Sequence, residues 1–197
     1  MTDRRQRLLD SLVEITAERG LDHVSIREVA AAADVSIGTV QYYCRTKDEM
    51  VLMAWESLAE KIIVRAMGGM DRGGTVATVK ECIRRVVLEL LPLDEPRSVE
   101  SRVYLAFAAR AVISAPLAEV QHSLLAKLRG YLARAFAHAK DEGEAAAGLE
   151  PDAAAAATAA LVDGLLLHML TDPGGLPPDS AVAAMDAHLD RLLPGNP

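Results

Sequence analysis

The stretch that decides the fold is Val24-Ser25-Ile26-Arg27-Glu28-Val29-Ala30-Ala31-Ala32-Ala33-Asp34-Val35-Ser36-Ile37-Gly38-Thr39-Val40-Gln41-Tyr42-Tyr43-Cys44-Arg45-Thr46-Lys47-Asp48-Glu49-Met50. Ser25 followed three residues on by Glu28 is a capping box, so a helix starts there. Ile26, Val29, Ala30 and Ala33 recur at three- and four-residue spacing and form one buried stripe. Asp34 tolerates the left-handed conformation that stops a helix sharply. Ser36 then caps a second short helix, with Val35 and Val40 inward and Ile37, Gly38, Thr39, Gln41 and Tyr42 outward. Two short helices across a tight turn make a helix-turn-helix, whose second helix can enter a DNA major groove. Thr46 and Glu49 repeat the capping box and open a longer helix.

The outward residues carry chemistry that a purely structural turn has no need of. Thr39, Tyr42 and Lys47 are phosphate-type contacts, and Arg27 and Gln41 can hydrogen-bond to base edges.

The order from Ser36 to Met50 resembles the amino-terminal signature of TetR-family transcriptional regulators. That resemblance implies an all-α homodimer, and the helices read along the chain number about nine. Its three N-terminal helices bind palindromic operators in double-stranded DNA, and its C-terminal helices bind a small effector and dimerise. The DNA-binding residues it implies are Ser25, Arg27, Ser36, Gly38, Thr39, Gln41, Tyr42, Tyr43 and Lys47, to which the outward Ile37 is added. Two positions depart from the pattern: Cys44 stands where the family usually has Phe, and Asp34 where it usually has Gly. Cys44 replaces an aromatic wedge beneath the recognition helix with a small hydrophobe. The implied division is a DNA-binding domain over residues 1–46 and an effector-binding and dimerisation domain over residues 47–197.

Composition agrees with helices: 51% of the 197 residues are apolar, only 4% are aromatic, and Ala and Leu abound. The formal net charge of −7 argues against a nucleic-acid partner, and residues 1–50 hold seven Lys/Arg against nine Asp/Glu. Placement matters more than the total. Arg4, Arg5, Arg7, Arg27, Arg45 and Lys47 can share a DNA-facing edge, with Glu14, Glu18 and Asp22 elsewhere. Non-specific affinity is then modest and strongly salt-dependent, and specificity comes from the paired recognition helices. Cys44 and Cys82 are too few and too far apart for a disulfide framework or a zinc site, which fits a reducing cytoplasm. No apolar run reaches the ~18 uncharged residues of a membrane span.

The chain otherwise reads as a succession of helices. The first runs roughly from Arg4 to Arg19, with Leu8, Leu9, Leu12, Val13 and Ile15 inward and Gly20 as its stop. A long helix from Thr46 to about Met67 buries Met50, Val51, Ala54, Trp55, Leu58, Ile62 and Ile63. Further helices follow: one capped by Thr75, one from Asp94-Glu95-Pro96 to about Ser114, and one opened by Pro116 through Phe136. An Ala-rich helix from Pro151 to about Leu170 and a last one from about Asp179 to Leu193 complete the count.

The final two helices are read as the dimer seam, the alternative being that their apolar surface packs only within one chain. Ala153 to Ala160 permit close approach, and Leu161, Leu165, Met169, Met185 and Leu189 supply apolar surface. The segments Arg102-Val103-Tyr104-Leu105-Ala106-Phe107 and Leu161-Val162-Asp163-Gly164-Leu165 through Pro173 are similar to the C-terminal domain of BetI-like regulators. Candidate effector contacts are Trp55, Met67, Tyr104, Phe107, His122, Leu125 and His168, an apolar lining suited to an apolar, neutral or cationic molecule. No cofactor or metal is implied. The sequence holds no Gly-rich phosphate loop, no Gly-x-Ser-x-Gly elbow and no His-x-x-x-His pair, which argues against an enzyme. The alternative, motivated by the acidic balance and Cys44, is a helical protein-interaction module of the same fold that has lost specific DNA binding.

Overall fold

The computed structural model describes residues 2–68 and 78–194. Among them are nine α-helices and one short 3-10 turn, Leu21–His23. The helices are α1 (Thr2–Arg19), α2 (Ile26–Ala32), α3 (Ile37–Tyr43), α4 (Lys47–Gly68), α5 (Val79–Glu89), α6 (Glu95–Ala111), α7 (Ala115–Asp141), α8 (Pro151–Thr171) and α9 (Pro178–Leu192). They form two compact units, one of residues 1–63 and 94–121, the other of residues 64–93 and 122–197. The division does not fall at residue 46, because α6 returns to pack on α1 within the first unit.

In the first unit, Leu8, Leu9, Leu12 and Ile15 bury one face of α1, against which α2 and α6 pack. Helix α2 ends in a Schellman motif: Val35 N–H donates to Ala30 O and Asp34 N–H to Ala31 O, with Asp34 left-handed at φ 51°. Asp is among the few residues that take this conformation at low cost, so it fills the place of a glycine. In α4, Met50, Val51, Ala54, Trp55, Leu58 and Ile62 are buried, but Ile63, expected inward, is 55% exposed. Helix α6 stops at Ala111 rather than Ser114, since α7 begins at Ala115 and the Ser114 hydroxyl is drawn to Asp48.

That contact anchors the start of α4. Asp48 accepts from Ser114 Oγ at 2.6 Å and from Arg110 Nε at 2.7 Å. The Ser114 bond first, and then Arg110, hold its carboxyl below the ordinary carboxylate range. The stabilisation is therefore complete above the unfolded carboxylate pKa and is lost as pH falls through the lower folded value. Asp48→Asn is expected to cost about 1–3 kcal/mol at neutral pH, the scale of hydrogen bonds to a charged group, and less near pH 3. Urea denaturation at the two pH values checks this.

In the second unit the core is built from Ile83, Val87, Leu132, Phe136, Met185 and Leu189, all with essentially no exposure. Helix α5 is capped by Thr78 in a closed box with Glu81. The expected cap, Thr75, lies outside the described residues. Arg84 on α5 holds Asp186 on α9 through two bonds, 2.6 and 2.9 Å, and Lys80 pairs with Asp190 one turn further on. Helix α7 runs past Phe136 to Asp141 and ends in a second Schellman motif around Gly143, φ 75°. By length and composition α8 is apolar enough to cross a membrane. Its Ala155, Thr158, Ala159, Val162 and Leu166 are instead buried within this unit, as in a core helix.

Met185 and Leu189, expected at the dimer seam, are 0% exposed inside a single chain, and Leu165 and Met169 are only 7% and 6% exposed. They supply no surface to a partner because α8 and α9 bury them against their own unit. Only Leu161 of that set is half-buried.

Helices α8 and α9 are also joined by a hydrogen-bond chain. Thr158 Oγ1 donates to Ala154 O at 2.8 Å, so His188 Nε2–H is the donor in its own 2.8 Å bond to Thr158 Oγ1. Burial first, and then the Arg191 charge, lower the His188 pKa. The folded chain thus binds fewer protons than the unfolded chain just below the ordinary imidazole pKa of about 6.5. Stability is full above that value and falls as pH drops through it. The melting temperature should decline between pH 7 and pH 5, and His188→Gln, which keeps a donor but does not titrate, should flatten that limb.

Candidate nucleic-acid interface

The interface is assembled from short-range hydrogen bonds that fix α2 and α3. Ser25 Oγ accepts from Glu28 N–H at 3.2 Å, but the box is not closed, because the Glu28 carboxylate takes Arg19 Nη1 at 2.9 Å instead. Ser36 Oγ accepts from Thr39 N–H at 3.1 Å and lies 2.9 Å from the Thr39 hydroxyl. Val40 and Cys44, 0% and 1% exposed, seat the helix from below, and the Cys44 thiol donates to Val40 O. Burial, with the nearby Glu49 carboxylate as a second cause, pushes that thiol up to about 11.

With its underside fixed, α3 offers the opposite face. Ile37, Gly38, Gln41 and Tyr42 are exposed, Tyr42 to 77%. Thr39 and Tyr43 are half-buried, and the Tyr43 ring braces Tyr42 edge-on, with centroids 5.1 Å apart at 84°. Arg27 and Ser25 are exposed at the start of α2. Arg4, from the first turn of α1, joins Ser36, Gly38, Thr39, Tyr42 and Tyr43 around an open cleft of about 370 Å³. The sequence shows Arg4 only as one of several basic residues near the N-terminus; its place against α3 is a tertiary fact.

The acidic residues of this region are largely engaged in holding it together. Glu28 pairs with Arg19, Asp48 with Arg110, and Glu49 accepts the backbone N–H of Arg45 and Thr46, at 2.5 and 3.3 Å, to cap α4. Asp22, expected away from the basic edge, sits 3.9 Å from Lys47 Nζ. This exposed pair is weak, so Lys47 can leave it for a phosphate at little cost.

Of the candidate effector contacts, the first unit brings three together. The Trp55 ring lies 5.2 Å from Tyr104, tilted 46°, and 5.6 Å from Phe107, stacked at 23°. Gln121, absent from the sequence-derived set, donates from Nε2 to the Tyr104 hydroxyl at 3.1 Å. Its polar side chain among the inward positions Leu117, Val120 and Leu124 was the available signal. In the second unit His122 and His168 are exposed, which removes them from a buried pocket in this chain, and Leu125 is half-buried. The Met67 side chain lies outside those described.

Comparison with known proteins agrees with this architecture. Residues 8–54 match the family described as bacterial regulatory proteins, tetR family. Residues 79–194 match the C-terminal domain described as BetI-type transcriptional repressor. The chain is 28% identical over 171 residues to the HTH-type transcriptional regulator PksA of Bacillus subtilis, covering 86% of this chain and 80% of that protein. It is 25% identical over 193 residues to the regulator BetI of Burkholderia ambifaria, covering 96% and 94%. Among solved structures, a transcriptional regulator from Rhodococcus sp. RHA1 superposes with a TM-score of 0.83 at 36% identity, covering 95% of both chains. A Saccharomonospora viridis protein in complex with choline shares the fold, with a TM-score of 0.83 at 22% identity over 96% of this chain and 95% of that one. With models of both its N-terminal and C-terminal regions matched, this chain belongs to the TetR family of DNA-binding, helix-turn-helix transcriptional regulators, a family of regulators rather than enzymes.

Proposed function

We propose that the chain is a homodimeric repressor acting in the cytoplasm, which binds a palindromic operator and is released from it by a small-molecule effector. The observation that carries the reading is the exposed face of α3, where Tyr42 stands 77% exposed beside Arg4 over an open cleft. A bulky aromatic held out by a second ring has no role in a folded core, whereas its hydroxyl suits a phosphate. Ser25, Arg27, Ser36, Ile37, Gly38, Thr39, Gln41, Tyr43 and Lys47 complete the contact set, with Gln41 and Arg27 at base edges.

Dimerisation is assigned to the outer stripe of α8. Ala153, Ala157, Ala160, Gly164 and Leu167 are exposed at alternating four- and three-residue steps, with Ala156 exposed beside them and Leu161 at the edge. Small side chains let two copies approach closely about a two-fold axis. The effector reading rests on the aromatic cluster of Trp55, Tyr104 and Phe107, and a shared fold that holds choline in the Saccharomonospora viridis protein is compatible with it.

Selection of bound fragments from random DNA tests the whole reading. A recovered palindrome, with half-sites spaced by about one helical turn, supports it. Recovery of no enriched sequence at any salt concentration overturns it in favour of an interaction module without DNA specificity.

A further inference from the structure

The aromatic cluster carries two buried hydrogen-bonding atoms without partners. Trp55 is 8% exposed, and its indole Nε1–H, which can only donate, finds no acceptor. The carboxamide oxygen of Gln121, which can only accept, is also buried and unpaired. Tyr104 ties them into one locus, since its ring lies on Trp55 and its hydroxyl accepts from Gln121. Buried polar atoms left unpaired are costly, so a donor and an acceptor orphaned around the same tyrosine call for a chemical complement.

Resting on the effector reading above, we propose that this locus recognises a neutral, largely apolar small molecule through a hydroxyl group. A hydroxyl accepts from Trp55 Nε1–H and donates to Gln121 Oε1. A carbonyl satisfies only the first, and an ammonium only the second. A quaternary ammonium group satisfies neither. The aromatic faces do not form an open cage for a cation either, because Trp55 is stacked on Phe107 at 23°. Asp48, on the same face of α4, is already taken by Arg110 and Ser114. The ligand's apolar body is left to Phe107 and the Trp55 ring. Such a molecule bridges α4, which begins next to α3, to α7.

The test uses the full-length protein with 4-butylphenol, butylbenzene and choline as probes, followed by equilibrium dialysis and by the emission of Trp55, the single tryptophan. The expected result is binding of 4-butylphenol at least about tenfold tighter than butylbenzene, as for a site that reads a hydroxyl. Gln121→Leu should remove most of that preference while leaving butylbenzene affinity within about twofold, which also serves as the control for folding. Trp55→Phe, read by dialysis, should do the same. Equal affinity for the two probes, a preference that survives both substitutions, or tighter binding of choline than of 4-butylphenol overturns the hydroxyl assignment and leaves an effector site standing. If no probe binds, and operator affinity is unmoved by a broad panel of small molecules, the effector reading falls as well.

Discussion

Replacing both Tyr42 and Lys47 by alanine is expected to lower affinity for the selected operator by about a thousandfold at moderate salt. A phosphate contact of this kind is worth on the order of 1 kcal/mol, and a symmetric dimer presents each substitution twice. Four lost contacts then sum to roughly 4 kcal/mol, or about three powers of ten. The two residues should fail in different ways. Loss of Lys47 removes a cation from each half-site, so the slope of log affinity against log salt should fall by about 2, with little change in sequence preference. Arg4→Ala should change the slope by a similar amount, because Arg4 is exposed beside Tyr42. Gln41→Ala should leave the slope intact and relax discrimination at one base pair of each half-site. Fluorescence anisotropy over a salt series separates these outcomes, and wild-type affinity in the double variant would remove α3 from the interface.

The second large effect concerns Gly164. In the single chain a Cβ built there meets nothing within 4 Å, so the fold itself does not oppose a side chain at this position. Gly164→Glu is therefore expected to keep or slightly raise the thermal stability of the folded chain, since glycine costs a helix about 1 kcal/mol relative to alanine. At a two-fold seam the same change brings two carboxylates and two side-chain volumes into one close approach. Sedimentation equilibrium should show a monomer, and operator affinity should fall by about a thousandfold as binding reverts to one half-site at a time. Met185→Ala provides the contrast. It empties a fully buried site and should cost about 2–5 kcal/mol of unfolding free energy, yet the molecules that remain folded should still pair. The opposite pattern, in which Met185→Ala dissociates the chains and Gly164→Glu does not, would return the seam to the residues first read from sequence.

Legibility from the sequence followed the range of the interactions. Ser36 with Thr39, and Thr46 with Glu49, are three residues apart, and both caps are present in the structure. The left-handed turn at Asp34 likewise follows from the residue itself. Errors arose where a side chain had a choice of partners. Glu28 is well placed to close its own box, but Arg19, nine residues earlier, takes its carboxylate. On α8 and α9 apolar periodicity identified the stripe correctly as buried, but periodicity does not say what buries it, and Met185 and Leu189 are covered by their own chain. The outer face of α8 was harder to read because alanine and glycine fit a core, a surface or an interface equally well. Gln121 illustrates the remaining gap: one polar side chain in an apolar stripe is visible in sequence, while its link to Tyr104 exists only once α6 and α7 are placed.

Cys44 has a practical consequence for the cell. A thiol held at about 11 is deprotonated in only about one molecule in ten thousand at neutral pH, and the thiolate is the nucleophile that attacks peroxides and disulfides. Peroxide in the cell should therefore leave the Cys44 thiol unmodified, and DNA binding should persist through oxidative stress.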